Sequence, residues 1–428
     1  MKENSKFKIQ SSKLTPVAVL WDESFLWGVM AYKALKAGRL SFDLIRSEDI
    51  RKGRLKEYAL LFVPGGWASN KLKALGDDGA REIKRFVHDG GAYLGFCGGA
   101  GLATMDGIGL VPVQRRPTKE RVPSFSGRIE LTTSPHPVWQ GISESVFHAW
   151  WPSQFLVDGS VSVLAAYGQA MPDSFSSDVN VGDVEAVGSW PELERVYQIN
   201  LDPKRLLGEP AVIEGRFGAG KVLLSLVHFD TPDDRSGAAM LQNLWKYLVP
   251  NAECGMPPIE TFEGRLHADR GMHDEQTTNS ELVVELEEAI NDLIALGRRN
   301  FLWFRRNPML LQWRRGVRGL EYCTLYVMVK EVSELLKRQD REPGAPNPAG
   351  NLIRIRELLL PFVEKAKHLL VRERYAMQNE HITYERCDDR EIQALREELF
   401  SRMKSHGGLF KEVIAEVDRL LFSAMVRR

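Results

Sequence analysis

Cysteine is scarce in this chain and never paired. Cys97, Cys254, Cys323 and Cys387 are spread over 428 residues. None stands in a C-x-x-C or similar spacing, so neither a disulfide framework nor a zinc cage is expected. An excess of one charge is missing too: Lys+Arg and Asp+Glu are 57 each, which argues against nucleic acid or an acidic partner held by a whole-chain field. No run approaches the ~20 apolar residues of a membrane span. The opening MKENSKFKIQSSKLTP lacks the apolar core of a signal peptide, and a reducing cytoplasm is the expected location. No G-x-x-x-x-G-K-[ST] phosphate loop and no internal repeat is present, and neither cofactor nor metal is expected.

What is there divides into two textures. From about 14 to 250, strands alternate with helices. LTPVAVLWD is an apolar run ending in Asp22, FLWGVMAYKALKAG has helical spacing, and YALLFVPGG and AYLGFC are further buried strands flanking the helical DDGAREIKRFVHDGG. Such alternation predicts a mostly parallel sheet covered on both faces. After about 125 the pieces are β-rich, and AVIEGRF–GAG–KVLLSLVHF reads as a hairpin followed by the helix GAAMLQNLWKYLV. Residues 251–279 have no sustained period and read as a linker. From 280 to 428 apolar residues step by three and four, as in Leu282, Leu286, Ile290, Leu293 and Leu296, predicting an all-α bundle.

The stretch GFCGG places Cys97 between a buried strand and a helix, with small residues on both sides. A strained strand-to-helix turn lifts such a side chain out of the sheet, and a helix N-terminus favours the thiolate. The competing reading is a small buried residue in a tight turn. A nucleophilic thiol needs a base, and the base needs an orienting acid. VLLSLVHFDTPDD supplies His228 and, two residues on, Asp230, on the same side of an extended strand. The alternative is a strand end followed by a plain turn. VPGGWASN ends the preceding strand, so the amides of Gly66 and Trp67, with that of Gly98, are candidates for an oxyanion hole; Pro-Gly-Gly would also end a strand without function.

Taken together, LFVPGGWAS, FVHDGGAYLGFCGGAGLA, HPVWQGI and GEPAVIEGRFGAGKVLLSLVHFD resemble the class I glutamine amidotransferase-like superfamily, and most of all the biotin–protein ligase N-terminal domain family, over residues 14 to 250. The resemblance implies a flavodoxin-like three-layer α/β fold, with Cys97 as nucleophile, His228 as base and Asp230 in the acid position. The chain departs from the glutaminases in carrying H-F-D where they carry H-P-E. It also lacks a synthetase domain to receive ammonia, so an amidotransferase would need a separate acceptor protein.

Further pocket candidates are Asp22 and Glu23 at the end of the first strand, against a simple helix cap, and His148, Trp150 and Trp151 in HAWWPSQF, against plain core packing. GRRNFLWFRRNPMLLQWRRGVRG carries seven arginines and no acid. It suits an anionic surface, but reads more simply as a bundle helix or an oligomer contact. The expectation is therefore a cysteine-dependent amidotransferase-like hydrolase of a small amide or acyl compound. The alternative is a non-catalytic ligand-binding or scaffolding protein whose residues 280–428 mediate assembly.

Overall fold

The computed structural model describes residues 17–249, 274–339, 347–378, 383, 387–402 and 406–426. Most of the expected linker therefore lies outside the described residues, as do Cys254 and most of the loop expected at 341–350. The first strands are short and wholly apolar because they are buried on both faces: β1 (Val17–Leu20), β3 (Leu60–Val63) and β4 (Ala92–Phe96) are buried at every position. With β2 (Asp43–Ile45) and β11 (Gly220–Ser225) they form a parallel array in the order β11-β4-β3-β1-β2. Helices α1 (Phe25–Ala37), α2 (Ala68–His88) and α3 (Gly98–Ala103) make the crossovers. Parallel pairing demands such crossovers and sends every strand's C-terminal end to one edge.

Beyond β11 the sheet changes character. The strands β5 (Phe125–Thr133), β6 (Val146–Trp150), β7 (Ser162–Ala170), β8 (Phe175–Ser176), β9 (Val179–Asn180) and β10 (Pro210–Phe217) pair antiparallel, extending one sheet of 11 strands. The expected hairpin is β10–β11, with Phe217 opposite Gly220. The expected closing helix is α4 (Arg235–Leu248). Helix α2 starts earlier than its apolar spacing suggests, because Gly76 (φ 61°, ψ −178°) joins two helical pieces.

The C-terminal half is helical: α5 (Asp274–Arg299), α6 (Gly319–Gln339), α7 (Ala349–Ala376), α8 (Arg390–Phe400) and α9 (Gly408–Val426). Among the described residues it carries one exception, which corrects the reading of 297–319 as a bundle helix. Trp303–Arg305 (β12) and Leu311–Trp313 (β13) form an antiparallel hairpin. Asn307 Oδ1 accepts from the amides of Met309 and Leu310 at 2.8 Å each, and Pro308 removes a donor, so a turn outcompetes the helix. The halves share a core. Ala31 and Leu35 of α1 pack on the sheet, while Leu26, Val29 and Met30 join the apolar cluster of the helical half. That double duty explains why α1 is apolar nearly all round.

Candidate active site

β3, β4 and β11 are neighbours in the sheet, so the three chemistry-bearing turns meet at one edge. Cys97 follows β4 directly and caps α3 with φ 48° and ψ −105°, a left-handed backbone that costs a non-glycine residue ~1–3 kcal/mol. Its amide donates to Ser225 O at 2.8 Å, pinning the turn to β11. The glycine after it is a steric requirement: a Cβ on Gly98 would lie 1.8 Å from the carbonyl oxygen of Gly66. This contact puts the Gly66–Trp67 turn against the start of α3. Among the described residues the amides of Gly66, Trp67 and Gly98 donate to no protein acceptor.

His228 and Asp230 are both fully buried, and His228 Nδ1 lies 2.9 Å from Asp230 Oδ1. The other ring nitrogen, Nε2, is buried with no hydrogen-bond partner, as is Asp230 Oδ2. Cys97 is nevertheless near enough to count among the charges acting on the ring. Burial pulls the His228 pKa down, but the Asp230 carboxylate and the Cys97 sulfur outweigh it and push it up to about 10. An imidazolium beside a thiol is the arrangement that favours a thiolate.

The remaining expected residues separate into two groups. Glu23 (φ 56°) presses its carbonyl on Gly66, 2.4 Å from where a Cβ would stand, and its carboxylate accepts from Asn70 Nδ2 at 3.1 Å. Trp151 meets Trp27 edge-on at 6.0 Å, and Trp27 in turn lies over the His228 ring at 4.7 Å. Asp22, by contrast, is consumed by structure: it pairs with Arg46 at 2.7 Å and accepts the Ser47 amide at 2.6 Å. His148 and Trp150 line a cleft between the two halves. His148 Nδ1 is 2.8 Å from Asp234, and the Trp150 indole donates to Thr231 Oγ1 at 2.9 Å.

Sequence reasoning missed Lys71 and Trp27. Lys71 is fully buried, and its Nζ donates to Ser24 Oγ at 2.5 Å and to Asp22 O at 3.2 Å. Burial lowers its pKa to about 7 against the pull of Glu23, Asp22, Cys97 and Asp418. A signal was available, because Lys71 stands in the first turn of α2, where the helix dipole disfavours a cation. A lysine there needs a compensating anionic neighbourhood. Arg115 adds further positive charge, lying against α3 with Nη1 2.5 Å from where a Cβ on Gly101 would be.

A family model described as "Biotin-protein ligase, N terminal" matches residues 49–106. That stretch holds Gly66, Lys71, Cys97 and Gly98, whereas His228 and Asp230 lie beyond it. No curated protein matches the chain. Among solved structures it is similar to a β-galactosidase from Bacillus circulans sp. alkalophilus (16% identity, 55% of this chain, 31% of that one, TM-score 0.33). Another is the cold-adapted β-galactosidase from Rahnella sp. R3 (15%, 55%, 31%, 0.35). A third is a glutamine amidotransferase from Thermotoga maritima (10%, 54%, 82%, 0.32). The chain thus spans about a third of the length of the β-galactosidases it resembles. The resemblance to the biotin–protein ligase N-terminal family is borne out over residues 49–106, and so is the expected layout of parallel strands with crossover helices, continued by antiparallel strands and followed by a helical half.

Proposed function

We propose that the protein is a cysteine-dependent, amidotransferase-like hydrolase of a small amide or related acyl compound. The observation that carries the reading is the left-handed Cys97 at a parallel strand end, beside a buried His228 whose Nε2 is unpartnered while Nδ1 is held by Asp230. In the resting state His228 holds a proton against the Asp230 carboxylate, and the Cys97 sulfur is the nucleophile. The sulfur attacks the acyl carbon, a C–S bond forms, and the carbonyl electrons move onto an oxygen held by the amides of Gly66, Trp67 and Gly98. As the tetrahedral centre collapses, the C–N bond breaks and His228 gives its proton to the leaving amine. Neutral His228 then takes a proton from water, which hydrolyses the thioester and releases the acid. Asp230 holds the ring in orientation throughout. Trp27 covers the His228 ring and is itself flanked by Trp151. In a cell the reading requires a reducing compartment such as the cytoplasm.

The test is the pH dependence of iodoacetamide labelling, read residue by residue by mass spectrometry, in the wild type and in His228→Ala. Burial pushes the Cys323 thiol up to about 12, so it serves as an unreactive internal reference. The expected result is a Cys97 midpoint well below the ~8.5 of a free thiol, raised when His228 is removed. A Cys97 that titrates as an ordinary thiol in both proteins would refute the enzyme and leave the ligand-binding alternative.

A further inference from the structure

The interface between the halves contains a cleft of about 320 Å³, and its chemistry is unlike that around Cys97. One wall comes from the sheet: Arg128 on β5, His148 and Trp150 on β6, and Phe175 on β8. The other is the hairpin, with Phe304, Arg305 and Arg306.

The charges in the cleft do not balance. Arg128 is paired with Asp173 at 3.1 Å, and His148 with Asp234 at 2.8 Å. Arg305 donates to the Tyr326 hydroxyl at 2.7 Å, and Arg306 reaches only neutral oxygens, those of Ser126 O, Gln312 Oε1 and Asp173 O, at 3.3–3.5 Å. Among the described residues neither Arg305 nor Arg306 has a carboxylate partner, and both residues line this one small space, Arg305 with its guanidinium 4.8 Å over the neighbouring Tyr326 ring. Burial lowers the Arg306 pKa, outweighing the pull of the Asp173 carboxylate in the other direction, and the nearby Arg128 adds to the lowering.

The walls around these charges are flat and apolar. The Arg306 guanidinium lies 4.6 Å over the Phe175 ring and 5.9 Å from Trp150. Phe175 and Phe304 sit 5.3 Å apart at 56°, and Phe304 is 46% exposed. An exposed phenylalanine at the mouth of an arginine-lined cleft offers a ring-stacking surface beside an anion holder. The volume is at the small end of ligand pockets, enough for one or two rings.

We propose that this interdomain cleft binds a small organic anion. Its phosphate or carboxylate is held by Arg305 and Arg306, and its planar ring packs against the exposed face of Phe304. Arginine suits either group because its fork of donors matches two oxygens at once. The site is separate from the Cys97 reading and stands or falls without it.

Titration calorimetry on the full chain decides the matter, with phenyl phosphate, benzoate, inorganic phosphate and phenol as probes. At least one ring-bearing anion should bind saturably, about tenfold or more tighter than inorganic phosphate or phenol; which one binds better distinguishes a phosphate from a carboxylate ligand. Arg306→Gln should abolish binding. Because Arg306 also ties the hairpin to the sheet, Arg305→Gln and Phe304→Ser are the deciding variants. Each should weaken binding by about tenfold with an unchanged thermal midpoint. No saturable heat with either ring-bearing anion overturns the proposal, as does binding that survives both variants unaltered.

Discussion

His228 and His148 face each other across an isolated antiparallel bridge, the amide of His228 donating to the carbonyl of His148 at 2.7 Å. Each offers Nδ1 to an aspartate at nearly the same distance, 2.9 Å to Asp230 and 2.8 Å to Asp234. Yet one ring is sealed beneath Trp27 beside Cys97, and the other stacks on Trp150 at 5.2 Å in the interdomain cleft. A His–Asp pair alone therefore does not single out the proposed dyad. What separates the two is burial and the neighbour on the other nitrogen. Asp234 also spends an oxygen on the Gly237 amide as the cap of α4, whereas Asp230 keeps Oδ2 unpartnered.

The largest expected contrast is in reactivity. Under the proposed function, Cys97→Ser should reduce turnover of any substrate found by about 10³-fold or more. His228→Gln should slow Cys97 labelling at pH 7 by about tenfold, while His148→Gln leaves it within about twofold. Equal effects from the two histidines, measured by the same mass-spectrometric assay, would erase the distinction.

A second contrast concerns pH and stability. His228, raised to about 10, binds more protons folded than unfolded between its ordinary ~6.5 and 10. Its contribution is full below that window and lost across it as pH rises. Lys71, lowered to about 7, binds fewer protons folded than unfolded up to its ordinary ~10.4, so stability rises with pH there. The two slopes oppose each other in the wild type. Urea unfolding from pH 7 to 9.5 should show stability falling with pH in Lys71→Met and rising in His228→Gln, by at most ~1.4 kcal/mol per pH unit. Slopes of the same sign in both variants would contradict the buried charge arrangement.

The smallest effect expected is at the other aspartate. Asp234→Asn keeps an N-cap acceptor but removes the charge beside His148, and should cost under ~1 kcal/mol. Thermal melts at pH 7 should show a shift of a few degrees at most, with Cys97 labelling unchanged.

Much of the site was legible because its logic is local. Glycines flanking Cys97, the His228-x-Asp230 spacing and the Pro-Gly-Gly turn at Gly66 each follow from the strand that carries them, and parallel pairing brings the three strand ends to one edge. Lys71 was not legible as a site residue, since its spacing is that of any helix lysine; only its place in the first turn hinted at an anionic surrounding. The hairpin at 303–313 was hidden by arginines and apolar residues that suit either period, and Asn307-Pro308 decided it. Asp22 is drawn off to Arg46, which also pairs with Asp418 on α9 at 2.9 Å, a partner nearly the whole chain away.

The sequence by itself determined the alternation of strand and helix, the strand-to-helix turn at Cys97 and the change to helix in the C-terminal half. Periodicity and small-residue turns are properties of neighbouring positions. Which aspartate serves which histidine, which lysine is buried, and the docking of a basic hairpin over an aromatic cleft were decided only by tertiary structure. Burial and charge pairing act between residues that meet in space, and the free energy of a charged side chain is set by what surrounds it rather than by what precedes it.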